Sequence, residues 1–369
     1  MSPPVQQPVQ QPVQQPVRSS AVVTDRPAFV PGGPPPRGSV LAHGPLPRTI
    51  WLALLAVATG VLVLARLPLT LSTALAEHHL DQAASVVVTA LFATALAYRL
   101  GGRPLVSLGL ALLLGVAATA TGRPEVTAGV AAAGAVVAGL LALAVTVPGR
   151  TPVAVARELA TALVVSVVGA LAVAGYGADV EPMRFRYLAV AVALVVALAA
   201  AGRLDAGLHH LSGRGTVVLA LGVVLVVVAV AYGEALSRWG STDLVDSLDR
   251  MRAALRDHLG AVPHPIQLFV GWPALTYGLW LRARRPHAWW VCVFGVAATV
   301  STACALVDPT TTVARAVLGG GYSLVGGVAL GALLVVVDRA VGRSQDRRTA
   351  AGLGGRVAPP EPARTRPLV

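Results

Sequence analysis

Residues 126–147 read VTAGVAAAGAVVAGLLALAVTV, an uninterrupted apolar stretch without an ionisable side chain. A helix of about 20 such residues crosses the hydrocarbon core of a bilayer, which is roughly 30 Å thick. Nine further apolar stretches, none with an ionisable side chain in its middle, lie between residues 49 and 337. The sequence therefore predicts an all-α, polytopic membrane protein with about ten transmembrane helices. The predicted crossings are 49–66, 83–100, 104–121, 126–147, 158–176, 186–202, 215–235, 264–281, 288–307 and 317–337.

The charged residues predict the orientation of these crossings. Cytoplasmic loops of membrane proteins collect basic residues. With both termini inside, the internal segments hold 20 of the 29 basic residues and 6 of the 17 acidic ones. We therefore expect an N-in/C-in topology. The net charge of +12 is then explained by internal loops and tails, so nucleic acid is not expected as a partner.

Two low-complexity segments flank the predicted transmembrane bundle, which covers residues 49–338. Residues 1–48 form a Pro/Gln-rich arm with repeated VQQP, and residues 339–369 form an Arg/Pro-rich tail. Neither segment carries enough apolar surface to fold alone, so both are predicted to be disordered and cytoplasmic. The basic tail predicts contact with anionic lipids of the inner leaflet. All 29 basic residues are Arg, which indicates a bacterial, GC-rich genome and hence the cell membrane as location.

One external loop contains a predicted amphipathic helix at about 242–259. Its leucines and one methionine form a single apolar stripe at helical spacing: Leu244, Leu248, Met251, Leu255 and Leu259. Such a helix either lies in the outer headgroup layer or packs as a lid over the bundle. We expect the lid, because interfacial helices usually carry large aromatic anchors and only Trp239 lies nearby.

A second external loop carries a dense polar cluster, Glu77, His78, His79 and Asp81. If it is helical, Glu77 and Asp81 lie four residues apart on one face, which suits acid–base chemistry or metal binding. The candidate catalytic residues are these four. The candidate metal ligands are His78, His79, His258 and His264. The alternative is a solvated polar helix end, and no cofactor is indicated.

The eighth crossing contains Gly271-Trp272-Pro273, and proline inside a helix removes a backbone hydrogen bond. Broken helices build substrate sites in transporters, because freed backbone groups bind ligands. Kinks also occur in ordinary membrane helices. The candidate substrate-binding residues are Gln267, Trp272, Pro273 and Tyr277.

Motifs exclude several activities without naming one. The chain lacks a Walker phosphate loop and the metalloprotease and serine-hydrolase motifs. No ionisable residue is predicted at mid-membrane depth, which disfavours proton-driven antiport. Three functions remain. The first, which we adopt, is a permease-like or translocation component for a small or lipidic substrate. The second is a non-catalytic envelope scaffold that recruits protein partners through its tails or external helix. The third is an outer-face transferase or hydrolase acting on a lipid-linked substrate.

Overall fold

The protein, described here as a computed structural model, is helical throughout the residues that the structure describes, 48–67, 79–203, 224, 242–285, 289–308 and 311–353. A π-helical segment, Gln267–Gly271, leads directly into α8. The α-helices in chain order are α1 (Arg48–Leu64), α2 (Leu80–Arg99), α3 (Pro104–Thr121), α4 (Pro124–Ala144), α5 (Pro152–Gly175), α6 (Pro182–Arg203), α7 (Thr242–Leu259), α8 (Trp272–Arg282), α9 (Trp289–Val293), α10 (Val296–Ala303) and α11 (Val313–Leu353).

Six of these helices are long and apolar enough to cross a membrane, namely α2 to α6 and the Val313–Val341 part of α11. The apolar segments Thr49–Leu64 and Trp289–Ala303 are shorter. The prediction of an all-helical protein with several helices apolar enough to cross a membrane is confirmed for the described residues. The count of about ten crossings and the N-in/C-in topology stay predictions. The predicted seventh crossing, 215–235, lies outside them except for one residue.

Local sequence explains where the helices of the first half begin. Proline is the first residue of α3, α4, α5 and α6, a position where its missing N–H costs no hydrogen bond. At α5 the Thr151 hydroxyl also accepts the N–H of Ala154 at 3.1 Å, a typical N-cap. Helix α5 therefore begins six residues before the predicted boundary at 158, and Glu158 lies in its second turn.

Helix α10 lies at the centre of the bundle, against α4, α5, α6 and the π-helical segment. Every residue from Val291 to Ser301 is buried. A glycine in α4 permits one of these contacts, because a Cβ at Gly139 would lie 2.9 Å from the backbone nitrogen of Val300. The Thr299 hydroxyl donates to the Gly139 carbonyl at 3.0 Å. By contrast, the membrane-spanning parts of α3 and α11 are mostly exposed, as expected for helices that face lipid.

Two crossings that the hydropathy pattern predicts as single helices are interrupted. The eighth contains the π-helical segment before α8, and the ninth is divided between α9 and α10 by a turn at Phe294–Gly295. Helix α11 differs in the other direction, since it continues beyond the predicted bundle end at 338 to Leu353. That extension lacks proline and is rich in good helix formers, which explains the added turns.

Helix α7 occupies the predicted range, but part of its apolar stripe is exposed. Met251 is 54% exposed and Leu259 is 40% exposed, whereas a lid would bury both against the bundle. The contact with the bundle lies at the end of the helix, where the Tyr322 hydroxyl donates to the Leu259 carbonyl at 2.9 Å. The exposed side chains therefore do not support the lid, and a helix that lies in the outer headgroup layer stays a prediction.

Candidate functional site

Five polar residues from four separate segments meet at one end of the bundle, and we call them the polar junction. They are Arg186, His264, Gln267, Thr302 and Ser323. This is the end at which the turn of residues 176–181 joins α5 to α6, and it is the predicted external end.

His264 attaches the start of the eighth crossing to α11. Its backbone N–H donates to the Ser323 hydroxyl at 2.7 Å, and that hydroxyl donates to the Gly319 carbonyl at 2.8 Å. Glycine at 319 is needed for this approach, because a Cβ there would lie 2.9 Å from the Val262 carbonyl oxygen. The backbone entering the eighth crossing is thereby held in place one turn before Gln267.

The side chain of His264 faces Arg186, with Nδ1 3.2 Å from Nη1 of the guanidinium. A guanidinium can only donate hydrogen bonds, so Nδ1 accepts and the ring proton is on Nε2. With Nδ1 as an acceptor the ring is neutral, and it leaves the charge of Arg186 uncompensated.

Gln267, the first residue of the π-helical segment, is 1% exposed and only partly satisfied. Its Nε2 donates to the Thr302 hydroxyl at 3.3 Å, and that hydroxyl donates to the Ala298 carbonyl at 2.8 Å. Within the described part of the chain, neither Oε1 of Gln267 nor Nε of Arg186 has a hydrogen-bond partner, although both atoms are buried. Buried polar atoms are normally paired, so these two atoms are candidates for contact with a ligand.

The backbone beside Gln267 is irregular. Between Gln267 and Gly271 the hydrogen bonds span five residues, and the Trp272 N–H reaches back to the Gln267 carbonyl. Pro273 follows directly and supplies no N–H. Short π-helical segments inside membrane and soluble helices are frequent at functional sites. The sequence predicts a kink at Pro273 but gives no signal for the π-helical segment before it.

The predicted substrate residues do not form one pocket. Trp272 and Pro273 are buried against α11, where a Cβ at Gly327 would lie 2.5 Å from the Cβ of Trp272. Tyr277 lies farther along α8 and stacks on Trp280 with ring centroids 6.0 Å apart. Only Gln267 belongs to the polar junction. At Gly271 the packing is close, because a Cβ there would lie 2.5 Å from the Cβ of Ala298, and a substrate cavity in this region stays a prediction.

A cavity of about 190 Å³ does lie at the same end, between the ends of α2 to α5. It is smaller than the roughly 300–1,000 Å³ of ordinary small-molecule pockets. None of the predicted site residues lines it. Its polar lining includes Gln82, Tyr176 and Asp179.

The predicted acid–base and metal residues are placed only in part. Glu77 and His78 lie outside the described residues. His79 is exposed, with a left-handed backbone (φ 53°), and Asp81 accepts the N–H of Gln82 at 2.8 Å in the first turn of α2.

The other two predicted metal ligands, His258 and His264, have different surroundings. His258 is exposed on α7, whereas His264 is turned towards a cation, which opposes metal binding. In the described ranges no three His, Cys, Asp or Glu residues come together as a metal site would require. A site that includes Glu77 and His78 stays a prediction.

Two charged residues that carry structure were missed by sequence reasoning. Arg186 lies two residues after Arg184, and only the fold distinguishes the two. Glu158 is buried, with its Oε2 accepting the Val147 N–H at 2.9 Å and its Oε1 paired to Arg157 at 2.9 Å. Because α5 begins already at Pro152, Glu158 lies within the helix and inside the bundle. Its carboxylate holds the turn between α4 and α5 through the Val147 N–H.

At the opposite end, the predicted internal one, cations surround Trp280. The guanidinium carbons of Arg284 and Arg339 lie 3.9 Å and 5.2 Å from its ring centroid. Arg–Trp stacking at this level suits a helix end in the headgroup layer.

Comparison with known proteins adds no identification: no protein-family model, no curated protein and no solved structure matches the chain.

Proposed function

We propose that the chain is a permease-like or translocation component of the cell membrane, with both termini cytoplasmic, that handles a small or lipidic substrate. The observation that supports this best is the interrupted eighth crossing beside the polar junction. Its π-helical segment and Pro273 lie next to buried polar atoms without partners. Transporters use discontinuous membrane helices in this way, with freed backbone and polar groups at the substrate site.

The ninth crossing supports the same proposal, because its interruption lies close to that of the eighth. A Cβ at Gly295 would lie 2.9 Å from the Cβ of Leu275, and one at Gly271 would lie 2.5 Å from the Cβ of Ala298. The two breaks are therefore about one turn apart along the packed pair. Two adjacent breaks give α10 and α8 separate hinges, the kind of element that absorbs a change between closed and open states.

In this proposal the described conformation is the closed one. Glycine contacts join the eighth crossing to the ninth, and a third occurs at Gly278, where a Cβ would lie 2.6 Å from the Cys292 sulfur. Substrate passage then requires α8 and α10 to separate. The chain has no ATP-binding motif, so the energy for movement comes from the substrate gradient or from another protein.

The remaining parts of the proposal concern location and contacts. A bacterial cell membrane with anionic lipids at the inner face fits the arginine cluster around Trp280. Protein partners at the tails or at α7 belong to the same proposal. Neither the scaffold nor the enzyme alternative is favoured by a described contact.

The two native cysteines test the proposal. Cys292 is 0% and Cys304 is 3% exposed, and both are free thiols in the ninth crossing. A membrane-impermeant methanethiosulfonate reagent is applied to the full-length protein in native membranes, with Cys292→Ser and Cys304→Ser assigning the labelled position. Opening of the eighth crossing from the ninth exposes these thiols, so labelling is expected well before the protein unfolds. If both thiols stay unreacted while the denatured protein labels fully, the permease proposal is wrong.

A further inference from the structure

We propose that the polar junction binds an oxyanion group of the substrate, through the guanidinium of Arg186 with Gln267 as a second contact. This inference rests on the proposed function and names the substrate class: a phosphate or carboxylate compound that also carries an O–H or N–H donor.

Arg186 has no counter-ion among the described residues. Two residues earlier on α6, Arg184 is 67% exposed and pairs with Glu181 at 2.8 Å. Arg186 is partly buried, and in the described ranges no carboxylate oxygen lies within 4.0 Å of it. Removing a cation from water is costly unless an anion accompanies it. The charge of Arg184 is therefore paired, whereas the charge of Arg186 is available to an anion.

The free hydrogen-bond donor of Arg186 is its Nε. His264 occupies Nη1 of Arg186, and as an acceptor ring it brings no charge. The buried Nε is left without a partner. The Nε edge of a guanidinium is one of the edges that bind carboxylate or phosphate through two parallel hydrogen bonds.

Gln267, one helical turn after His264, offers a free hydrogen-bond acceptor. Its Nε2 is committed to Thr302, since the Thr302 hydroxyl donates its own hydrogen to Ala298 and can only accept from the amide. The buried Oε1 is therefore a free acceptor. A free acceptor and an unpaired cation in the same polar junction match an anion that also has a donor, such as a monoprotonated phosphate, an amino-carboxylate or the headgroup of an anionic phospholipid.

The test measures binding to the full-length protein without measuring transport. The unfolding temperature is followed against inorganic phosphate at constant ionic strength. In a second arm it is compared between phosphatidylcholine nanodiscs with and without phosphatidylglycerol. Stabilisation by phosphate indicates a soluble ligand, and stabilisation by phosphatidylglycerol alone indicates a lipid headgroup.

Arg186→Gln is expected to raise the half-saturating concentration of the effective probe at least tenfold. Arg184→Gln, the matched control on the same helix, is expected to leave it unchanged. Arg186→Lys keeps the charge but loses the planar donor edge, so it should show an intermediate loss, and it covers the case in which Arg186→Gln does not fold. The inference is overturned if neither probe stabilises the wild type, or if the folded Arg186 variants respond as the wild type does.

The outcome of this binding test is independent of the outcome of the thiol-labelling test of the permease proposal. Oxyanion binding without thiol labelling of the ninth crossing supports the site and refutes the permease. Thiol labelling without oxyanion binding does the reverse.

Discussion

Replacing Gly271 by alanine tests the close packing between the eighth and ninth crossings. Gly271 has helical backbone angles (φ −67°, ψ −62°), so alanine causes no backbone strain there. The added Cβ would, however, meet the backbone nitrogen of Ala298 and lie 2.5 Å from its Cβ and 2.7 Å from its Cα. These atoms belong to the central helix α10 and cannot rotate away. One crossing must shift relative to the other.

The expected cost follows from two opposing effects. Overpacking a well-packed interior costs typically 1–3 kcal/mol, and contact with backbone atoms favours the upper half, about 2–3 kcal/mol. Alanine is the better helix former by about 1 kcal/mol. The net loss of unfolding free energy for Gly271→Ala is therefore about 1–2 kcal/mol.

Gly129→Ala is the matched control, because Gly129 lies inside α4 with nothing within 4 Å of the added Cβ. It should be neutral or more stable by up to about 1 kcal/mol. Reversible unfolding in detergent, followed by circular dichroism, compares both variants with the wild type. If Gly271→Ala is as stable as Gly129→Ala, the contact between Gly271 and Ala298 does not exist as described.

A further prediction concerns a buried carboxylate. Glu158→Ala leaves the Val147 N–H without its acceptor and should cost about 2 kcal/mol in the same unfolding assay. Glu125→Ala, at the exposed start of α4, should cost less than about 1 kcal/mol. Equal losses would contradict the role of Glu158 in holding the turn between α4 and α5.

Hydropathy was sufficient for the regular part of the fold. The predicted crossings 104–121 and 126–147 lie within three residues of α3 and α4, because long apolar runs between prolines and glycines leave few other choices. The amphipathic helix at 242–259 coincides with α7, since its spacing and end residues are local signals. Membrane segments of this kind are specified by local sequence.

The interruptions and the polar junction were not accessible in the same way. The π-helical segment packs against α10 and α11, and the turn at Gly295 packs against Leu275. These contacts join segments that are distant in sequence. Likewise, nothing in the sequence around Arg186 distinguishes it from Arg184 until His264 is placed beside it. Tertiary contact, not propensity, creates the candidate site.

The most direct test of the account is the side of the membrane on which the polar junction lies. In a Cys292→Ser, Cys304→Ser background, Asp179→Cys marks the turn just before α6 and Arg285→Cys marks the turn after α8, and both positions are exposed. An impermeant maleimide applied to intact cells should label the cysteine at 179, and it should label that at 285 only after permeabilisation. Labelling of 285 in intact cells with protection of 179 would reverse the orientation and contradict an external substrate site at Arg186.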